Sequence, residues 1–373
     1  MRFRFLIPVA IIVIVAGGAW WYRGAMSRFF FRPTDTVLEV APNDDKKQLE
    51  IIAENLDVPW DLVFLPDNEM VVSERGGTLH FLKSGGRVTV PGVTEAGEGG
   101  LLGIVLHPKF AENQWIYVYQ TDKRGGIIRN RVVRYRLAGA KLEDEKVIIA
   151  NIPGAPYHDG GRMAFGPDGF LYITTGDASV SSNAQDKQTL AGKILRLHDD
   201  GLVPADNPFG TAVYSYGHRN PQGIAWDDAG TLWATEHGRS GATGSGYDEV
   251  NRIARGENYG WPIIQGDAAR AGMTRPVIHS GPDETWAPSG LAFWRGRLFY
   301  AGLRGEALYE TSIQNGGTLS KPRVHFRKEY GRLRAVVVGP DNALYITTSN
   351  KDDRGTVQAG DDKIIRLSPD YPL

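Results

Sequence analysis

Phe165-Gly166-Pro167-Asp168-Gly169-Phe170-Leu171-Tyr172-Ile173-Thr174-Thr175 reads as strand, tight turn, strand. Pro167 presets φ for the turn, Asp168 and Gly169 supply its polar and permissive positions, and the run from Phe170 to Thr175 is β-branched and aromatic. Ahead of the hairpin, His158 lies close to Gly160 and Gly161, so backbone or ligand can approach the ring. Behind it, Gly176-Asp177 places a carboxylate where the strand stops. The hairpin speaks for architecture, and His158 with Asp177 for chemistry.

The same signature returns along the chain. It occurs at Val63–Val72 around Pro66-Asp67-Asn68, and at Leu106-His107-Pro108-Lys109 leading to Trp115–Tyr119. It recurs at Trp226–Thr235, in degenerate form at Phe293–Tyr300, and at Gly339–Thr348, which nearly copies the first-quoted stretch. With that stretch this makes six copies, spaced by roughly 40 to 65 residues, a period that suits a four-stranded blade plus long loops. The expected fold is all-β, a six-bladed β-propeller over residues 48–370. A two-sheet sandwich would not need one hairpin six times.

The N-terminus speaks for location. Met1-Arg2-Phe3-Arg4 is basic, and Phe5 to Tyr22 runs 18 residues without a charge, closing on Trp20-Trp21-Tyr22 and Arg23. A cleavable signal peptide would cut near Gly17-Gly18-Ala19. The length and the aromatic cluster favour an uncleaved signal anchor over residues 1–26, a transmembrane helix followed by a tether over 27–47. Either way the bulk of the chain is expected outside the cytoplasm, in the periplasm, and the anchor would hold it at the inner membrane.

Composition narrows the chemistry. The 373 residues hold no cysteine, which removes disulfides, thiolate catalysis and thiolate metal sites. A formal charge of −1 shows no basic excess, so no nucleic-acid partner is expected. The 46 glycines and 21 prolines fit turns and strands.

Propellers bind ligands where loops converge at one end of the channel, so polar residues just outside the hairpins matter most. Glu98 sits in a glycine-rich loop that does not complete a dinucleotide fingerprint, and it is either a solvated acid or a residue facing substrate. Gly217-His218-Arg219-Asn220-Pro221-Gln222-Gly223 forces an irregular path that carries a guanidinium and two amides side by side. Arg332-Leu333-Arg334 puts two guanidinium groups on one face of a strand, where they repel unless an anion or acid lies between them. His107, His218 and His237 also adjoin hairpins, with no histidine spacing typical of zinc and no Gly-x-Ser-x-Gly elbow.

These residues carry a resemblance. His158-x-Gly-Gly-Arg162 with Gly166-Pro-Asp-Gly and Gly176-Asp177 resembles the soluble aldose and glucose dehydrogenases that depend on pyrroloquinoline quinone (PQQ), the glucose/sorbosone dehydrogenase family. So do Leu190–Arg196, Gly217–Gly223, Asp248-Glu249-Val250-Asn251, Asn258-Tyr259-Gly260-Trp261-Pro262, Ala287–Gly290 and Arg332-x-Arg334. The motifs stand in family order from about Leu56 to Leu367.

The resemblance implies roles. His158 matches the general base and Asp177 the carboxylate that orients it. Arg219 and Asn220 match quinone contacts, and Arg332 and Arg334 the cationic pair that holds PQQ carboxylates. Arg304 stands where the family usually has lysine, which keeps the charge and changes the donor geometry. Glu98, on the substrate side, stands where many members have glutamine. Carbonyl oxygens at Gly238 and Arg239 match ligands of the calcium ion beside PQQ, and Glu249 and Tyr259 match contributors to a second, structural calcium. Here the chain departs from the family: Arg239 to Tyr247 intervene before Asp248, and a longer loop is expected to weaken the calcium site.

The implied reaction is oxidation of an aldose at C1 to the lactone, with a separate, unidentified electron acceptor. A histidine near neutrality suits the hydroxyl proton, and the quinone suits the hydride. The alternatives are a six-bladed calcium-dependent lactonase or esterase, and a non-catalytic binding propeller. The arginine set weighs against a lactonase, which has no use for so many guanidinium groups around one trianionic ligand.

Overall fold

Each hairpin signature folds as the first and second strand of one sheet. The closing pairs are Phe64 with Met70, Leu106 with Ile116, Phe165 with Leu171, Trp226 with Leu232, Trp294 with Arg297, and Val338 with Leu344. The turn aspartates show why the signature repeats. Asp168 accepts from the Phe170 amide and the Tyr172 hydroxyl, and Asp341 accepts from Ala343 and Tyr345 in the same way. The side chain thus ties the turn to the strand that follows.

The chain is described by a computed structural model at residue 38 and at residues 48–240 and 246–372. Six four-stranded antiparallel sheets follow one another, confirming the propeller. Blade 1 begins with Pro59–Phe64, blade 2 with Leu101–Leu106, blade 3 with Met163–Phe165, blade 4 with Pro221–Trp226, blade 5 with Pro288–Trp294 and blade 6 with Leu333–Val338. Blade 6 takes its outer strand from the other end of the chain, because Leu49–Ala53 pairs with Ile364–Leu367. The expected anchor and tether lie outside the described residues, Leu38 apart, as do residues 241–245 of the loop after Gly238. Among the described residues no helix is long and apolar enough to cross a membrane.

The second strands Leu171–Thr175, Leu232–Glu236 and Leu344–Thr348 are buried along their whole length. A strand covered on both faces is what stacking of blade on blade requires. Trp60 is 1% exposed, with the Arg162 guanidinium 4.3 Å and that of Arg334 5.9 Å from its ring. Burying a side chain of this size contributes about 3 kcal/mol, and the cations add to it.

The innermost strands are irregular at one end only. Register shifts fall between Pro59 and Asp61, Leu101 and Ile104, Pro221 and Gly223, Pro288 and Leu291, and Leu333 and Val336. A bulge bends a strand and re-aims its side chains. These bulges occupy the face where the first strands begin, and the polar loops lie there.

Candidate active site

Two strand ends build each part of this face: the start of a first strand and the finish of a second. Glu98, His158 and Arg219 precede the first strands of blades 2, 3 and 4, while His237, Arg304 and Arg354 follow second strands. All six line one cavity together with Gly238, Arg239, Asp248 and Arg332.

His158 is held at both ends. Its Nδ1 lies 2.7 Å from Asp177 Oδ1, and the Trp261 indole N–H donates to Asp177 Oδ2 at 2.8 Å. The Ser179 amide donates to Asp177 Oδ1 at 2.8 Å, so the carboxylate is 1% exposed yet fully engaged. With Nδ1–H given to Asp177, Nε2 is the ring nitrogen that can take a proton. The backbone is as constrained as the ring. A Cβ on Gly176 would lie 1.9 Å from the His158 carbonyl oxygen, so only glycine lets the two loops meet. His158 itself has φ of 66°, in the left-handed region.

Glu98 joins this side of the cavity. Its Oε2 accepts from the His158 amide at 3.0 Å, and its Oε1 pairs with Arg354. Burial pulls the Glu98 carboxyl upward, but the paired Arg354 guanidinium outweighs it and holds the group well below the usual carboxylate range. Asp159, the residue after His158, is 2% exposed, and burial pushes it up to about 7.

Much of the remaining lining is cationic. The Arg219 amide donates to Glu236, its guanidinium donates to Ser240 Oγ at 2.9 Å, and it lies 5.4 Å from the Trp261 ring. Asn220 braces the base, because its Oδ1 accepts from Gly160 N at 2.9 Å. His218 is wholly buried between Glu236 Oε2 and Ser215 Oγ, and stacks on Tyr259 with centroids 4.7 Å apart. It shapes the loop that presents Arg219. Arg332 and Arg334 do face one way, and an acid does lie between them: both reach Asp352 Oδ2, at 2.8 and 3.1 Å. Arg332 lines the cavity; Arg334 sits beneath, where burial draws it down to about 10 against the pull of Asp352.

The loop after Gly238 is pinned at its described ends. The Gly246 amide donates to the Arg239 carbonyl at 3.2 Å, and Gly238 N donates to Asp248 Oδ1 at 2.8 Å. Asp248 Oδ2 accepts from Trp286 and Ala287 amides, and burial raises its carboxyl. His237 is drawn down to about 3 by burial, so its imidazole is neutral, and its Nε2 has no hydrogen-bond partner. Glu249 stands opposite Glu236 across a strand pair, and burial together with that neighbour holds it well above the carboxylate range. The Tyr259 hydroxyl is taken by the blade 4 backbone, donating to Arg252 O at 2.6 Å and accepting from Ala254 N at 2.8 Å. Among the described residues, no group of three or more His, Asp or Glu side chains is arranged to hold a metal ion.

The structure therefore gathers His158, Arg219, Arg304, Arg332, Glu98, Gly238 and Arg239 around one cavity, with Asp177, Asn220 and Arg334 behind it. The sequence reading assigned no role to Arg354, Asp352, Asp248, His237 or Trp261. Trp261 stood in a quoted motif and His237 beside a hairpin; Asp352 and Arg354 belong to the charged run Lys351-Asp352-Asp353-Arg354 in a turn-rich loop, which reads as an ordinary solvated stretch.

A six-bladed propeller with a histidine–carboxylate pair and buried arginines gathered at one cavity is the class that fold and site define. Residues 56–358 match the family described as Glucose / Sorbosone dehydrogenase, and the chain belongs to that family. The chain is 34% identical to the aldose sugar dehydrogenase YliI of Escherichia coli over 80% of its own length and 89% of the relative's. It is similar to the PQQ-bound aldose sugar dehydrogenase of Streptomyces coelicolor, with 39% identity and a TM-score of 0.78 over 86% of this chain and 97% of that one. The apo-form soluble aldose sugar dehydrogenase of Escherichia coli gives 32% identity and a TM-score of 0.77 over 86% and 99%.

Proposed function

We propose that this protein is a PQQ-dependent aldose sugar dehydrogenase that oxidises its substrate at C1 to the lactone. One observation carries the reading: a histidine locked to a buried carboxylate shares a cavity with Arg219, Arg304 and Arg332. The donor set fits PQQ, because three guanidinium groups in a low-dielectric cup suit a ligand with three carboxylates. Arg219, Arg304 and Arg332 would hold it, with Asn220 and Arg334 as supports. When bound, PQQ supplies a hydride acceptor.

His158 Nε2 takes the C1 hydroxyl proton. Asp177 keeps the ring in the right tautomer and stabilises the imidazolium that forms. Trp261 and Ser179 hold Asp177 in place, and the buried arginines favour the negative charge that accumulates on the cofactor side. Calcium would draw on the Gly238 and Arg239 carbonyls, which needs no particular side chain. A second calcium at Glu249 and Tyr259 would have to displace the proton that burial and Glu236 keep on Glu249, and would draw on the Tyr259 carbonyl, since the hydroxyl is already bonded to Arg252 and Ala254. The chain works outside the cytoplasm, held at the membrane by residues 1–26, and passes electrons to a separate acceptor.

A lactonase would leave the arginines without a purpose. The test is reconstitution of purified protein with PQQ and calcium, followed by dye reduction with a panel of aldoses. Sugar-dependent reduction that needs PQQ is the expected result; lactone hydrolysis without PQQ would replace this reading with the hydrolase.

A further inference from the structure

We infer that Glu98 and Arg354 form an ion pair that fixes the His158 backbone, which makes both of them positioning residues for the base. The inference rests on the functional reading above, in which His158 is that base. Three loops meet at this point. Glu98 comes from the turn ahead of blade 2, His158 from the segment ahead of blade 3, and Arg354 from the loop between Leu344–Thr348 and Ile364–Leu367 of blade 6.

The bonds run in one direction. The Glu98 amide donates to Pro156 O at 2.9 Å, its Oε2 accepts from His158 N at 3.0 Å, and its Oε1 is occupied by Arg354. The Arg354 guanidinium also lies 5.3 Å from the ring of Tyr157, the residue before His158. Both carboxylate oxygens are thus committed to protein groups before any sugar arrives.

The constraint answers a need. His158 is not glycine, and a φ of 66° costs such a residue about 1 to 3 kcal/mol, held only where the surroundings over-determine it. Asp177 fixes the ring but not the peptide ahead of it. Glu98 fixes that peptide, and Arg354 keeps Glu98 from turning away. The blade 6 loop does a second job with its neighbour: Asp352, whose Oδ1 accepts the Arg354 amide at 3.1 Å, carries Arg332 and Arg334. One loop thereby sets the base and the cationic pair relative to each other.

The test compares Arg354→Met, Arg354→Lys, Glu98→Gln and the double variant Glu98→Gln/Arg354→Met in PQQ-loaded enzyme. Steady-state kinetics with two aldoses is paired with PQQ titration. Arg354→Met should lower kcat by roughly 10- to 100-fold, the scale of a misplaced catalytic group. KM and PQQ affinity should stay within about twofold of the parent, and Arg354→Lys should recover most of the loss. The double variant should be no worse than the poorer single one, because the two residues act as a unit. A KM that rises differently for the two sugars, with kcat kept, would make the pair a sugar contact and overturn the inference. So would additive losses. Crystal structures of parent and Arg354→Met supply a readout independent of turnover: His158 should leave φ near +66° or lose its bond to Asp177. An unmoved His158 overturns the inference even if the parent takes up no PQQ, an outcome that would separately overturn the functional reading.

Discussion

The two sides of the cavity are built on opposite principles. On the His158 side each hydrogen-bonding atom of the Asp177 and Glu98 carboxylates has a protein partner, and the loops touch so closely that Gly176 admits no Cβ. On the Gly238 side, His237 Nε2 and Arg239 Nε are buried without partners. A buried donor or acceptor left unpaired costs about 1 to 3 kcal/mol. The Asp177 and Glu98 carboxylates are satisfied before ligand binds, with Asp159 Oδ2 the unpaired atom beside them, whereas the Gly238 side carries a deficit that a ligand can relieve. The contrast separates proton transfer, which needs fixed geometry, from binding, which gains from polar groups held in reserve.

The sharpest way to break the contrast is at the base. His158→Ala should lower turnover by about 100- to 10,000-fold while PQQ affinity stays near the parent's, as expected for loss of a positioned base. Single-turnover kinetics with bound PQQ measures this, and unchanged turnover would reduce His158 to a structural role.

The next effect tests the binding side. Removing Arg332 and Arg334 alone would strand Asp352, and an unpaired buried charge costs about 3 to 5 kcal/mol of fold stability. The informative variant is therefore Arg332→Ala, Arg334→Ala and Asp352→Asn together. Charge-assisted hydrogen bonds are worth about 1.5 to 3 kcal/mol each, so PQQ affinity should fall by about 100-fold or more with folding intact. Parent-like affinity by calorimetry would remove the arginine pair from the cofactor site.

The smallest effect concerns the cost of the His158 side. Burial pushes Asp159 up to about 7, whereas in the unfolded chain it ionises near its ordinary value. Between about pH 4 and pH 7 the folded state then holds a proton that the unfolded state has released, so stability falls as pH rises through that window and stays low above it. Asp159→Asn removes the ionisation and keeps an oxygen for the Asn130 amide, which now donates at 2.8 Å. Tm should rise by a few degrees at pH 8 and stay unchanged at pH 4. An equal rise at both would assign the gain to packing.

The architecture was legible because it is written in local chemistry repeated six times. A turn aspartate that binds its own strand, as Asp168 and Asp341 do, needs no knowledge of the rest of the fold. The site was legible where a motif is contiguous: His158, Asp177, Arg219 and the Arg332-x-Arg334 pair all reach the same end of the channel. The alternation rule anticipated an acid between those arginines but could not name Asp352, 18 residues beyond Arg334. Glu98 was legible as an acid in a glycine-rich loop, while its partner is 256 residues away on another blade. Partnerships made by ring closure leave no trace in spacing, and that is where sequence reading stopped.

Ring closure also decides when these partnerships can form. The outer strand of blade 6 comes from residues 49–53 and its partner from residues 364–367, while Lys351 Nζ donates to Leu56 O across 295 residues. Contacts of such separation are the slowest to form, since the intervening chain must be ordered first. During synthesis, blades 1 to 5 can assemble as an open arc, with the blade 6 loop that holds Asp352 and Arg354 arriving last. Until it docks, Glu98 lacks Arg354 and the arginine pair lacks Asp352, so on the proposed reading catalytic competence is a late event in folding rather than a gradual one. A truncation just before Ile364 should therefore leave most blades formed and the cavity inert.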